Sequence, residues 1–227
     1  MTRNTPPDVS TSALIDRLSH DLRPVTPLRH PVTRAVIWVL MALAFAMAMV
    51  WAIGVRPDLA EQLRDPWFLV EQVAALATGF CAAVAALALT IPASPIGLRL
   101  LPLFPATLWA ATLGVGCLRD WLRAGSGGLY LTPDMACFVY IALIGSLPAL
   151  VMGLMLRRGA QLRLSWSLAA GGLAAAAIGN FGLRFFHMQD AALMVLVWQF
   201  GSVILIAALA GSIGARILRK PFRDAAP

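Results

Sequence analysis

Residues 35–55 read AVIWVLMALAFAMAMVWAIGV, 21 residues from Ala35 to Val55 without one charge. Wound as an α-helix the stretch measures about 31 Å, the hydrocarbon thickness of a bilayer. It is too long for the apolar part of a secretory signal, and no small-residue cleavage site follows it. The segment ahead of it carries Asp8, Asp16, Asp21 and a run of prolines, unlike the basic leader of a signal peptide. The stretch therefore reads as a membrane span that stays in the chain.

Working outward, five more apolar stretches of comparable length follow. The spans are expected at 33–54, 67–91, 100–118, 133–156, 167–186 and 191–218. The composition agrees: 59% of the 227 residues are hydrophobic and 13% charged, against about a quarter charged in soluble domains. The alternation of a membrane β-barrel is absent from the pattern. The fold class is all-α: a polytopic membrane protein, a bundle of six transmembrane helices. Residues 1–32 form an arm ahead of the bundle (33–218), and residues 219–227 form a short tail.

Arginine placement sets the expected orientation. The arm, the second and fourth loops and the tail hold Arg3, Arg17, Arg23, Arg29, Arg34, Arg99, Arg157, Arg158, Arg163, Arg216, Arg219, Lys220 and Arg223, which is 13 of the 18 basic residues. Arg56, Arg64, Arg119, Arg123 and Arg184 fall on the other side. The positive-inside rule places the richer side, and with it both termini, in the cytoplasm. The net charge of +7 thus reads as a topology signal bordering the spans. It is not a stripe for nucleic acid, and no direct nucleic-acid binding is expected.

Within the arm, Ser10 through Arg23 reads as a short amphipathic helix. Ser10 or Ser12 caps it, Leu14, Ile15, Leu18 and Leu22 recur at offsets of three and four, and Pro24 stops it. So short a helix is marginal alone in water, so its apolar face wants a partner. The membrane surface is one choice, but anionic lipid prefers a cleanly basic face, and Asp16 and Asp21 mix the sign. A protein groove receiving the leucine stripe is the better match.

The remaining chemistry is sparse. Small residues at helical spacing, Ala175 with Gly179 and Ala207 with Gly211, read as packing surfaces within the bundle. Pro148 is expected to kink the fourth span. Cys81 reads as a packing residue. Cys117 and Cys137 stand at the outer ends of the third and fourth spans at similar depth; a disulfide is open to them if their Cα atoms come within about 7 Å. His187 and Asp190 share that face, but Cys and His lack any local metal-ligand spacing, so no metal or cofactor is expected. Arg119, Asp120, Arg123 and Arg184 are expected to pair across it. Glu71 is the lone ionisable candidate for a transport path, so a small transporter or channel is the alternative reading, with a membrane thiol oxidoreductase behind it. No nucleophile triad, phosphate loop or metalloprotease pattern occurs, and the chain reads as a non-enzyme.

Four segments carry a resemblance. They are Leu14-Ile15-x-x-Leu18-x-x-Asp21-Leu22-x-Pro24-Val25-x-x-Leu28-x-x-Pro31 in the arm, Gly54-x-Arg56-Pro57-Asp58-Leu59 after the first span, Gly116-Cys117-Leu118-Arg119-Asp120-Trp121 after the third, and Leu193-Met194-Val195-Leu196-Val197-Trp198 in the last. In this order and at these places they resemble the NrsF-type anti-sigma factors over nearly the whole chain. The resemblance implies a multi-pass protein of the bacterial inner membrane. It would hold an extracytoplasmic-function sigma factor inactive through Leu14, Ile15, Leu18, Asp21 and Leu22, and release it on an envelope, oxidative or metal stress. It also implies a part in signal sensing for Cys117, which lies within the matching motif, and by position for Cys137.

Overall fold

The computed structural model describes residues 10–20, 28–125, 135–159, 163–188 and 191–216. Helix starts follow their local chemistry. Pro31 and Pro66 each open a span, where a missing N–H costs nothing. Ahead of Pro31, His30 Nδ1 accepts from the Val32 amide at 3.3 Å; ahead of Pro66, Asp65 Oδ1 accepts from the Trp67 amide at 3.0 Å. Gly54, at φ 105°, ends the first span in a conformation a side chain would strain.

A short helix α1 (Thr11–His20) precedes the bundle. Then come six helices long and apolar enough to cross a membrane: Pro31–Ile53, Pro66–Ala88, Ile96–Ala124, Met135–Arg157, Leu164–Leu183 and Ala192–Gly214. Among the described residues there is no β-strand. The six expected spans are all present. Most ends move by a few residues, but the third differs more. It begins at Ile96, is interrupted at residues 101–102 and runs on to Ala124, whereas its hydropathy stops near Leu118. Two of the charges beyond that point, Arg119 and Asp120, have partners. The Arg119 guanidinium lies 3.8 Å from the centre of the Trp67 ring, and Asp120 Oδ2 accepts from the Ala192 amide at 3.3 Å. The fourth span runs unbroken through Pro148. The sixth is not a regular α-helix: Val195–Phe200 and Ala210–Gly214 are π-helical.

The fifth span is the hub. It packs on the first, second, fourth and sixth, while the third leans on the second and the start of the sixth. Small residues let it do so. A Cβ on Gly179 would stand 2.5 Å from the Ile141 carbonyl oxygen of the fourth span, and one on Gly211 would stand 2.8 Å from Ala169 Cβ. The Ala175 carbonyl borders Gly145, and Ala207 Cα borders Gly172. Both small-residue pairs therefore serve contacts inside one chain, where close backbone approach supplies the dispersion energy that lipid does not. The buried core is accordingly rich in alanine from the second and fifth spans, whereas large apolar side chains such as Trp51, Leu40 and Phe104 face outward.

Interior polar groups are few. Thr78 Oγ1 donates to the Ala74 carbonyl at 2.7 Å, and Gln72 Nε2 donates to the Phe181 carbonyl at 3.2 Å. Arg34, at the arm end of the first span, is buried and donates to the Met155 carbonyl at 2.9 Å, tying the first span to the fourth.

Candidate functional site: the arm and the far end of the bundle

α1 begins as its sequence demands. Ser10, not Ser12, is the cap: its Oγ accepts from the Ala13 amide at 3.3 Å and its carbonyl from the Leu14 amide at 3.1 Å. Every side chain of α1 that the structure describes is exposed. Leu14 is 48% and Ile15 59% accessible, so an apolar face stands open ahead of the bundle. Leu18 lies on the same helix, but its side chain is outside the described residues, as are Asp21, Leu22 and the 219–227 tail.

At the opposite, far end of the bundle the loops after the first and fifth spans are joined. The Arg56 amide donates to the Phe185 carbonyl at 2.9 Å, and its Nη1 donates to the His187 carbonyl at 3.4 Å. The Arg56 side chain is fully buried and meets Asp58 with two bonds, Nε to Oδ1 at 2.7 Å and Nη2 to Oδ2 at 2.6 Å. Those hydrogen bonds from Arg56 hold the Asp58 carboxyl at about 2, below its ordinary 3.8. His187 in turn places Nε2 3.2 Å from Cys137 Sγ. Tyr140, one turn along the fourth span, meets Phe186 edge-on with centroids 5.0 Å apart and faces the His187 ring at 6.3 Å.

The two cysteines singled out from sequence thus sit in different surroundings. Cys137 is buried against His187. Cys117 is a half-buried free thiol, so the disulfide open to the pair is not formed. Among the described residues, the far-end charges take partners other than one another. Arg184 goes to Glu71 at 3.4 Å and lies over Phe68, Arg119 goes to Trp67, and Asp120 to the Ala192 amide. Arg184 is 4% exposed and meets a carboxylate that the fold brings from another span. Glu71 is therefore half of an ion pair and not a lone relay group. Asp190 lies outside the described residues.

Asp65, Trp67, Glu71, Thr112, Arg119 and Asp120 line part of a polar cleft of about 520 Å³ on this end. Gly116 lets its wall close up, since a Cβ there would come 2.8 Å from Ala192 Cβ. Sequence reasoning missed the roles of Arg56 and His187. Arg56 had a signal, an Arg-Pro-Asp loop directly after a span. For His187 the signal was only its place on the same outer face as the cysteines, because its partner is 50 residues away.

An all-helical chain with six membrane-length apolar helices and a short, solvent-facing helix ahead of them defines a polytopic bundle with a leading arm. The family NrsF, negative regulator of sigma F, matches residues 18–219. The chain belongs to that family, and so is a negative regulator of a sigma factor by the family's description. No curated protein and no solved structure matches it.

Proposed function

We propose that this chain is a membrane-anchored anti-sigma factor. It holds an extracytoplasmic-function sigma factor at the bacterial inner membrane through its arm and releases it on an envelope, oxidative or metal stress. The observation that carries the reading is the capped helix α1, whose Leu14 and Ile15 are exposed in a chain of a sigma-regulator family. The exposed Leu14 and Ile15 on a short helix suit a hydrophobic groove on a partner protein. Ordering the helix on its partner also explains how so short a segment becomes stable. Leu18, Asp21 and Leu22, the next residues of the sequence motif, are assigned to the same contact.

The excess of basic residues on the arm side supports cytoplasmic termini. The partner contact then lies in the cytoplasm and Cys117 and Cys137 lie toward the outside, where thiols meet external signals. The chain contacts the sigma factor and lipid, not nucleic acid. The deciding experiment is co-purification from membranes. Parent protein should retain a sigma factor, and Leu18→Asp should lose it while inserting normally. Retention of the sigma factor by Leu18→Asp at the parent level would refute the role of the arm.

A further inference from the structure

The second and third spans carry two hollows between them, one apolar and one polar. The apolar groove, about 410 Å³, is lined by Val70, Val73, Ala77 and Cys81 of the second span and by Phe104 and Leu108 of the third. Val73 is 66% and Phe104 78% exposed, so the groove opens sideways, toward lipid. From Val70 to Cys81 it follows three turns of helix, about 16 Å, which is one leaflet's share of a hydrocarbon core of about 30 Å. The polar cleft of about 520 Å³ lies toward the far end of the same two spans. The walls are shared: Ala74 in the groove stands one turn from Glu71 in the cleft, and Leu108 one turn from Thr112. Trp67 lines the cleft and is 40% exposed, and Trp121 nearby is 50% exposed. Tryptophans gather at the level of the lipid headgroups.

The charges in the cleft select the headgroup. Glu71 is matched by Arg184. That leaves Arg119 and Arg123 against Asp65 and Asp120, two of each sign. Among the described residues neither of these guanidiniums is ion-paired. Arg119 lies 3.8 Å from the centre of the Trp67 ring, a contact that leaves its N–H donors for an anion. Asp65 and Asp120 each give one oxygen to a backbone amide, of Trp67 and Ala192, and keep the other as an acceptor. A phosphate suits the arginines and an ammonium the aspartates. A headgroup with a phosphate alone would set its charge against both carboxylates.

We propose that the cleft and groove together bind one phospholipid whose headgroup carries a phosphate and a primary ammonium, of the phosphatidylethanolamine type. The phosphate meets Arg119 and Arg123, the ammonium meets Asp65 and Asp120, and an acyl chain lies along Val73 and Ala77. The inference goes beyond the anti-sigma reading and does not depend on it.

The test uses the full chain, purified in detergent and stripped of lipid. Native mass spectrometry counts bound lipid, and thermal unfolding is followed on the same samples. The probes are phosphatidylethanolamine and phosphatidylglycerol with identical chains. The parent protein should bind one phosphatidylethanolamine at least about tenfold more tightly than phosphatidylglycerol, the scale of one charged hydrogen bond. Its melting temperature should rise with the concentration of the first lipid. Arg119→Gln and Arg123→Gln should each weaken that binding by about tenfold or more. Arg64→Gln, beside Asp65 in sequence but outside the cleft, should leave it unchanged. Val73→Trp, which fills the groove from an exposed position, should weaken it as the arginine variants do. Glycerophosphoethanolamine, the headgroup without chains, should not displace the lipid at equal concentration. Melting in lipid-free detergent separates lost binding from lost folding, and the comparison of the two lipids on the parent needs no variant at all. Equal affinity for the two lipids, binding indifferent to both arginine variants, or displacement by the free headgroup overturns the proposal. So does a dimer that Val73→Trp splits while lipid binding stands, which gives the groove to a second copy of the chain.

Discussion

Trp38 Nε1 donates to the Pro148 carbonyl at 2.9 Å, a buried bond that spans 110 residues of sequence. It locks the first span, which carries the arm, against the fourth, which carries Cys137. Trp38→Phe keeps most of the ring's packing and removes the donor. We expect it to lower stability by about 1 kcal/mol, the usual net value of a neutral hydrogen bond, measured by detergent-titrated unfolding. No loss would mean the seam is held by packing alone.

Gly179 sets how near the fifth span comes to the fourth. Gly179→Ala places a Cβ 2.5 Å from the backbone oxygen of Ile141, and backbone cannot rotate away as a side chain would. The cost should be about 1–3 kcal/mol, the range for overpacking a tight core. Gly114→Ala, with nothing within 4 Å of the new atom, should leave the melting temperature unchanged or slightly raised. Equal melting temperatures for the two variants would remove Gly179 from the packing account.

Asp58 gives a pH signature. Its carboxyl is held at about 2 in the fold, below its ordinary 3.8. A lowered carboxyl stabilises the folded state fully above the ordinary value, and that contribution fades as pH falls through about 2. Asp58→Asn should therefore melt below the parent at neutral pH, with the gap closing as the pH is taken from about 4 to about 2. The gap will be small, since an exposed carboxylate is screened by solvent. A difference that is constant with pH would show that the Arg56–Asp58 charge pair is not its source.

Leu14, proposed as a partner-binding residue, lies on a helix that buries none of its described side chains. Leu14→Asp should leave unfolding of the bundle unchanged, within about 0.5 kcal/mol as for surface substitutions, while reducing sigma-factor capture. A destabilised bundle would place α1 against the spans.

Orientation is tested by reporter fusions. A reporter active only in the cytoplasm should work at either terminus, and one active only outside should work in the loop between the first and second spans, as the arginine distribution requires. The reverse pattern would put α1 out of reach of any sigma factor.

The spans and the arm helix were legible because both rest on local rules. A bilayer demands an uninterrupted apolar length, and Ser10 with Leu14 and Ile15 shows a cap and a face without reference to anything distant. The third span's end was misjudged by the same rule. Hydropathy stops at Arg119, but the helix runs on, and Arg119 and Asp120 find partners in Trp67 and Ala192.

By itself the sequence determined the number of spans, the arm with its apolar stripe, and the motif order that marks the family. These are properties of a chain against a solvent, and each residue contributes independently of its distant neighbours. Tertiary structure decided which polar group meets which. His187 reaches Cys137, Arg56 reaches the His187 carbonyl, and Arg184 takes Glu71. These contacts are made across spans, and they depend on how closely Gly145, Gly172 and Gly179 let the fifth span approach its neighbours, a distance no local pattern encodes.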